Sequence, residues 1–278
     1  MNIAKYGLVS VIITSKNEQE IIKRVLDSVK NQTYRYLEII LVDNYSKDQT
    51  LRIAKTLISK VYQHGPERSA QRNYGVKKAR GKYLFFLDAD MELSGEVVKQ
   101  CILNIQDKGI GAIVIPEQSI ASKFWETVKA FERSFYNDQE DLITDAARFF
   151  RKSVFKKVGG YDEMITGPED WDITDKVYKN GFRIGRIKAR IYHYENIQSL
   201  FSLAKKKFYY GLKSHRYLSK QKISPVSPKT IYFLRPVFYK SWKKILFNPK
   251  LSVAMFMMLS AELIGGGFGY LVGRISRR

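Results

Sequence analysis

Only one cysteine, Cys101, and three histidines occur in the 278 residues. A single thiol excludes an internal disulfide framework and fits a reducing compartment. No Cys/His cluster has the spacing of a zinc site. The opening residues, Met-Asn-Ile-Ala-Lys-Tyr, contain no apolar signal-peptide core, so the main body of the chain is expected to stay in the cytoplasm. There is no internal repeat and no low-complexity segment. Acid is missing from one long stretch: none lies between Glu195 and Glu262, against thirteen Lys and Arg, within an overall net charge of +21. Such a stretch suits a polyanionic surface, either nucleic acid or anionic lipid.

The C-terminal residues decide between them. The run from Leu251 to Val272 is apolar apart from Glu262 and is long enough to cross a bilayer. Lys243, Lys244 and Lys250 flank it on one side, with Arg274, Arg277 and Arg278 on the other. The preceding residues mix cations with aromatics. Leu200, Phe201, Leu203, Ala204, Phe208, Tyr209 and Leu212 share a helical face, and 231–239 and 242–247 repeat the mixture. Basic amphipathic helices at a lipid interface have this composition. Beside an apolar span, lipid is the better reading and no nucleic-acid partner is expected. Gly265, Gly266, Gly267 and Gly269 lower helix propensity and suit close packing. Glu262 is either a snorkelling acid or a functional group.

The first 195 residues alternate strand-like and helix-like runs: strands at 8–13, 38–42, 83–87 and 111–115, helices near 18–30, 48–59, 66–79 and 94–106. This is the pattern of βαβ units, hence an α/β fold with a mostly parallel sheet and helices on both faces. A helix with an aromatic stripe is expected over 120–137, a strand over 146–151, a helix from Pro168 to about Asn180, and β structure over 183–194.

The most informative segment is Tyr83-Leu84-Phe85-Phe86-Leu87-Asp88-Ala89-Asp90. Its apolar run reads as a buried strand that ends in two carboxylates. Ligands of open parallel sheets bind beyond the carboxyl ends of strands, and two acids there can hold a divalent cation against a diphosphate. Other motifs surround it: Thr14-Ser15-Lys16-Asn17-Glu18 after strand one, and Asp43 with Ser46 and Asp48 after strand two. Glu67 to Gly75 comes next, then Gly159-Gly160-Tyr161-Asp162-Glu163 and Glu169-Asp170.

In this order and spacing, residues 8–195 resemble family 2 glycosyltransferases, which share the GT-A fold. The tail resembles the membrane-bound branch, a reduced relative of cellulose-synthase-like and polyprenyl-phosphate-linked sugar transferases, such as an archaeal-type lipid-linked mannosyltransferase. The resemblance implies a GT-A domain over 1–198, basic interfacial helices over 199–250 and a transmembrane segment over 251–273. It implies that Asp90 contacts Mg²⁺ or Mn²⁺ directly, that Asp88 acts at the metal and near the ribose of the nucleotide-sugar, that Asp43 recognises the nucleotide base and that Glu18 lies near the ribose side. Arg72 would reach the phosphates and Asp170 would be the general base, with Glu169 in support. His193 reads either as a structural strand-end residue or, by the resemblance, as a metal ligand. The Gln-x-x-Arg-Trp sequence of membrane-bound polysaccharide synthases is absent. Lys205-Lys206-Lys207 stands there instead, favouring a single transfer over processive synthesis.

The expectation is an inverting, metal-dependent hexosyltransferase at the cytoplasmic face of the cell membrane. It would take a GDP- or UDP-linked sugar, mannose from GDP-mannose first, to a lipid-linked acceptor. The alternatives are a polyprenyl-phosphate sugar synthase, a nucleotidyltransferase and a non-enzymatic membrane- or nucleic-acid-binding module.

Overall fold

A computed structural model describes residues 6–137 and 143–276; Arg277, Arg278 and the first five residues lie outside it. The chain divides into two compact units that interleave in sequence. The first holds Met1–Glu117, Ala146–Glu163 and Asp170–His193; the second holds Gln118–Asp145, Met164–Glu169 and Tyr194–Arg278.

In chain order the elements are β1 (Val9–Ser15), α1 (Ile22–Lys30), β2 (Leu37–Asp43), α2 (Thr50–Leu57), β3 (Val61–Gln63), α3 (Arg68–Lys78), β4 (Tyr83–Asp88), β5 (Met91–Leu93), α4 (Val97–Asn104) and β6 (Ile110–Val114). They continue with β7 (Glu117–Ile120), α5 (Phe124–Arg133), β8 (Ala147–Arg151), α6 (Lys152–Lys157), α7 (Glu169–Lys179), β9 (Arg183–Arg186) and β10 (Ile191–Tyr194). The last are α8 (Leu200–Gln221), α9 (Pro236–Lys240), α10 (Trp242–Leu246) and α11 (Pro249–Ile275).

The first unit is built on a seven-stranded sheet in the order β3-β2-β1-β4-β8-β6-β9. β8 alone runs antiparallel, between β4 and β6. Side chains alternate across this sheet. Val9, Val11, Ile13, Phe85 and Leu87 enter one buried cluster, and Ile12, Leu84 and Phe86 enter the other. Both faces are therefore apolar, which is why these strands read as continuous hydrophobic runs and not as alternating ones. Phe86 touches the rings of Phe150, Phe155 and Tyr161, so truncation to Ala would cost about 3–5 kcal/mol. β5, β10 and β7 form a second, three-stranded sheet in that order, with His193 opposite Met91 across the antiparallel β5–β10 pair.

Helix α1 starts four residues later than the apolar pattern suggests. Asn17 is left-handed (φ 56°), and the next amides are taken by side chains of the β2–α2 loop and of the first residue of α2. Glu18 N–H donates to Thr50 Oγ1 at 2.7 Å, and Gln19 N–H to Asp48 Oδ2 at 3.2 Å. The β1–α1 and β2–α2 loops are thus stitched together at the carboxyl ends of two neighbouring strands.

The second unit packs α5, α8, α9 and α11 around Val128, Phe131, Phe135, Leu203, Phe238, Met255, Met258 and Leu259. The expected amphipathic segments over 231–247 break into one 3-10 turn and two five-residue helices. Pro236 explains the first break, since it restricts the residue before it yet suits the first position of α9. α11 spans 27 residues and is long and apolar enough to cross a membrane.

Candidate active site

Strand order places the site. β1, β2 and β3 succeed one another to one side, and β4 returns to the other side of β1, so the topological switch lies between β1 and β4. There Thr14 pairs with Asp88, and its hydroxyl donates to Asp88 Oδ1 at 2.9 Å. α3 crosses β1 closely because residue 75 is glycine: a Cβ there would lie 2.5 Å from Ile12 Cγ2. That approach carries Arg68 and Arg72, one helical turn apart, to the strand ends.

Arg72 is completely buried and bridges two carboxylates. Its Nη1 meets Asp170 Oδ1 at 2.6 Å and its Nη2 meets Asp88 Oδ1 at 2.9 Å. Its guanidinium lies 5.0 Å from the ring centre of Tyr161. Tyr161 is held by Asn73 from the same helix, through bonds to its N–H and its carbonyl. The sharp entry to Tyr161 needs positive φ at Gly159 and Gly160 (83° and 66°). Asp170 sits in the first turn of α7, where the helix dipole favours an anion. Its carbonyl accepts from Thr174 Oγ1, which accepts from Ala147 N–H, tying the helix start to β8.

Two further charged residues complete the site, and neither stands out in the sequence. Arg148 is the extra residue of a β-bulge: Ile113 pairs with Phe149 and Val114 with Ala147. Its Nη1 lies 3.7 Å from Asp88 Oδ2, and its Nη2 and Nε lie 2.8 and 2.9 Å from Glu117 Oε1. Glu117 Oε2 is 3.2 Å from His193 Nδ1, and His193 Nε2 is 3.2 Å from Asp90 Oδ2. The series Asp170–Arg72–Asp88–Arg148–Glu117–His193–Asp90 is one continuous chain of polar contacts. A cation inside the apolar β8 strand was the available signal, because a buried guanidinium requires a carboxylate partner.

Burial alone would raise the Asp88 carboxyl. Arg72, Arg68, Arg148 and the Thr14 hydroxyl outweigh it and hold the carboxyl well below the usual carboxylate range. Burial would lower Arg148, but Glu117, Asp170 and Asp88 push its pKa up. The first acid of the Asp-x-Asp pair is therefore held ionised at neutral pH and occupied by arginines. Asp90 is different: its side chain is 39% exposed and faces the imidazole.

The remaining expected residues are more scattered. Asp43 is fully buried in a serine turn; its Oδ1 accepts from Ser15 and Ser46 hydroxyls and its Oδ2 from the Ser46 amide. Glu18 is half-buried in the stitched loop beside it. Gln71 joins these two strand ends by donating to the carbonyls of Ser15 and Val42. Glu169 is buried and belongs to the second unit, although Asp170 belongs to the first.

Among the described residues no group of three or more His, Cys, Asp and Glu side chains gathers as a metal cage. Asp90 and His193 nevertheless form a suitable pair. A hard carboxylate oxygen with an imidazole nitrogen would suit a divalent cation such as Mn²⁺ or Mg²⁺, which would supply positive charge against a diphosphate.

A mostly parallel sheet with acids at its switch point, an arginine-bridged carboxylate on a helix start and an Asp-x-Asp turn has the α/β form expected of a GT-A transferase. Residues 10–159 match the model for glycosyl transferase family 2, and residues 130–199 match the model described as the N-terminal domain of galactosyltransferase. The chain belongs to glycosyl transferase family 2. It is 26% identical over 205 residues to the poly(ribitol-phosphate) beta-N-acetylglucosaminyltransferase TarS of Staphylococcus aureus, covering 66% of this chain and 35% of that protein. The chain thus spans about a third of TarS. An uncharacterized glycosyltransferase of Methanocaldococcus jannaschii is 28% identical over 254 residues, covering 84% of this chain and 86% of its own length.

Among solved structures, the mannosyltransferase PcManGT of Pyrobaculum calidifontis, in complex with GDP-Man and Mn²⁺, superposes with a TM-score of 0.59 at 18% identity, covering 91% of this chain and 74% of that one. Residues 1–349 of TarS superpose at 0.56 and 19% identity, covering 97% and 92%. These likenesses establish the fold.

Proposed function

We propose that this glycosyltransferase moves a single hexose, with inversion, from a nucleotide-sugar to a lipid-linked acceptor at the cytoplasmic membrane face, with GDP-mannose the first candidate donor. The observation that carries the reading is Arg72, which joins the carboxylate of Asp170 to that of Asp88 within the first unit. In this reading Asp170 removes the proton from the acceptor hydroxyl. That oxygen bonds to the anomeric carbon as the carbon–oxygen bond to the diphosphate breaks, and the nucleoside diphosphate leaves with the electron pair. Arg72 fixes the orientation of the base, and Arg68, partly exposed beside Asp88, offers a cation towards the departing phosphates. When bound by Asp90 and His193, Mn²⁺ or Mg²⁺ would neutralise charge on the diphosphate. Asp43 and Glu18 are assigned to the nucleoside, at the ends of β1 and β2.

A mannosyltransferase of the same fold holds GDP-Man and Mn²⁺, which supports that donor and cation. A second reading has its own support. TarS structures include a UDP-GlcNAc complex and TarS is named for a poly(ribitol-phosphate) acceptor, so a UDP-linked amino sugar and a polymer acceptor form the alternative. The membrane assignment draws on α11, whose Val253, Phe256, Met257, Ile264, Phe268 and Leu271 are exposed at helical spacing, and on the acid-free basic stretch before it.

The test supplies the full chain with labelled GDP-mannose or UDP-GlcNAc and a membrane lipid extract, with Mn²⁺ or EDTA. Label passing to lipid from GDP-mannose only with Mn²⁺, and lost in Asp170→Asn, is the expected result. Undiminished transfer by Asp170→Asn would remove the general base and favour a lipid phosphate as acceptor, since a phosphate needs no strong base. Transfer from UDP-GlcNAc alone would replace the donor.

A further inference from the structure

We infer that Glu117 is a positioning residue for His193, holding the imidazole so that its Nε2 lone pair faces the Asp90 side of the site where a divalent cation would bind. This rests on the cation-assisted reading above. A neutral imidazole carries one N–H donor and one acceptor nitrogen, and the partner at one nitrogen selects the role of the other. Glu117 is placed to make that selection. Its Oε2 is 3.2 Å from Nδ1, while its Oε1 is fixed by Nη2 and Nε of Arg148 at 2.8 and 2.9 Å.

The backbone explains the aim. Glu117 is the first residue of β7 and comes directly after Pro116, whose carbonyl accepts from Ile191 N–H at 3.0 Å, bringing the start of β7 alongside β10. On β10, His193 pairs with Met91, the residue after Asp90. One imidazole is therefore bracketed by two carboxylates delivered from two different strand ends. Arg148, whose carboxylate partners include Asp88, ties this bracket to the arginine-held half of the Asp-x-Asp pair. An acid at the far nitrogen of a metal-binding histidine orients the ring and raises its basicity, and its loss ordinarily weakens metal binding 10–100-fold. Arg148 gives Glu117 a second charge to balance, so the competing role is simple counter-charge.

The experiment measures Mn²⁺ binding to the full-length protein by the EPR signal of free Mn²⁺, at saturating GDP or UDP, whichever gives the larger thermal shift. Variants are Glu117→Ala, Glu117→Gln, His193→Ala and Glu117→Ala combined with His193→Ala, each first checked for a wild-type-like melting transition. Should Glu117→Ala melt, Glu117→Gln carries the test, since it keeps an acceptor of similar shape. Expected is a Mn²⁺ dissociation constant raised about 10–100-fold by Glu117→Ala, a smaller rise for Glu117→Gln, and a combined variant no weaker than His193→Ala alone. Long-range ¹H–¹⁵N spectra of the protein loaded with Mg²⁺ and the same nucleotide should show the Nδ1–H form at His193 in the wild type and its loss in Glu117→Ala, since without a cation the Asp90 carboxylate also accepts an N–H from Nε2. If Glu117→Ala binds Mn²⁺ within twofold of wild type while His193→Ala does not, the positioning role is overturned and Glu117 is only the partner of Arg148. If both bind normally, the cation site itself is wrong and the inference goes with it.

Discussion

Each unit buries a cluster of opposite charges, and the two clusters differ in a way that separates chemistry from scaffolding. In the first unit, Asp90 and Asp170 sit at the open ends of the contact chain, with side chains 39% and 18% exposed. In the second, Lys129 contacts Glu132 at 2.9 Å and Glu262 at 3.1 Å, and Lys207 contacts Glu262 at 3.4 Å and the Tyr232 hydroxyl at 3.0 Å. Both acids there are sealed, at 0% and 1% exposure. Glu262 looked from the sequence like a snorkelling acid or a functional group; it is an internal counter-ion that fixes α11 against α5 and α8. Buried charge does not by itself mark a site. Buried charge with its terminal carboxylates turned outward can meet a ligand.

The largest expected effect tests the open cluster. Asp170→Asn should lower turnover by about 10²–10⁴-fold, the range for losing a positioned general base. Its amide oxygen can still accept from Arg72, so the melting temperature should move little. Assaying transfer and thermal unfolding on the same preparation checks both halves. A large loss of stability with normal turnover per folded molecule would reverse the comparison.

The sealed cluster should behave in the opposite sense. Glu262→Ala leaves Lys129 and Lys207 without their shared partner and should cost about 3–5 kcal/mol of stability, with turnover per folded molecule close to normal. Replacing the set together (Lys129→Met, Lys207→Met, Glu262→Leu) should cost less than Glu262→Ala alone, because no buried charge is then left unmatched. Denaturant unfolding of the two variants decides it, and a triple variant weaker than the single one would contradict this account.

Much of the first unit was readable because its signals are local. The strand ending at Asp88, the alternation of β and α runs, and the acid pairs at 88/90 and 169/170 each declare themselves within a few residues. The partnership between them was not readable. Arg72 looked like a phosphate contact, yet its side chain is buried between Asp88 and Asp170, a meeting of residues 16 and 98 positions from it. Glu117 and Arg148 escaped notice because their role comes from a bulge and a strand pairing, which hydrophobic period does not encode. The short elements β3, β5 and α6 were missed for a related reason: three- to six-residue segments carry too little periodicity to stand out.

A pH series sharpens the open cluster further. Asp88 is held well below its ordinary value of about 3.9, so its ionised form contributes stability above that pH. The contribution is lost as pH falls towards the depressed folded value. Asp88→Asn should therefore melt below wild type by an amount equivalent to about 3 kcal/mol between pH 5 and 8, with the gap closing below about pH 4. Calorimetry at five or six pH values reads this directly. A gap that widened in acid would mean the arginines do not hold Asp88 ionised.

The smallest effects come from two glycines of α11, two residues apart, and they should differ in sign. A Cβ on Gly269 would lie 2.1 Å from the Phe208 carbonyl oxygen and 3.0 Å from its Cα, so α8 and α11 would have to separate. A Cβ on Gly267 would meet nothing within 4 Å. Gly269→Ala should destabilise by about 1–3 kcal/mol through overpacking. Gly267→Ala should stabilise by about 0.5–1 kcal/mol, since alanine loses less backbone freedom on entering a helix. Thermal unfolding in one detergent or lipid condition gives both shifts. A Gly269→Ala variant no less stable than wild type would mean that α8 and α11 are not packed backbone to backbone at Phe208.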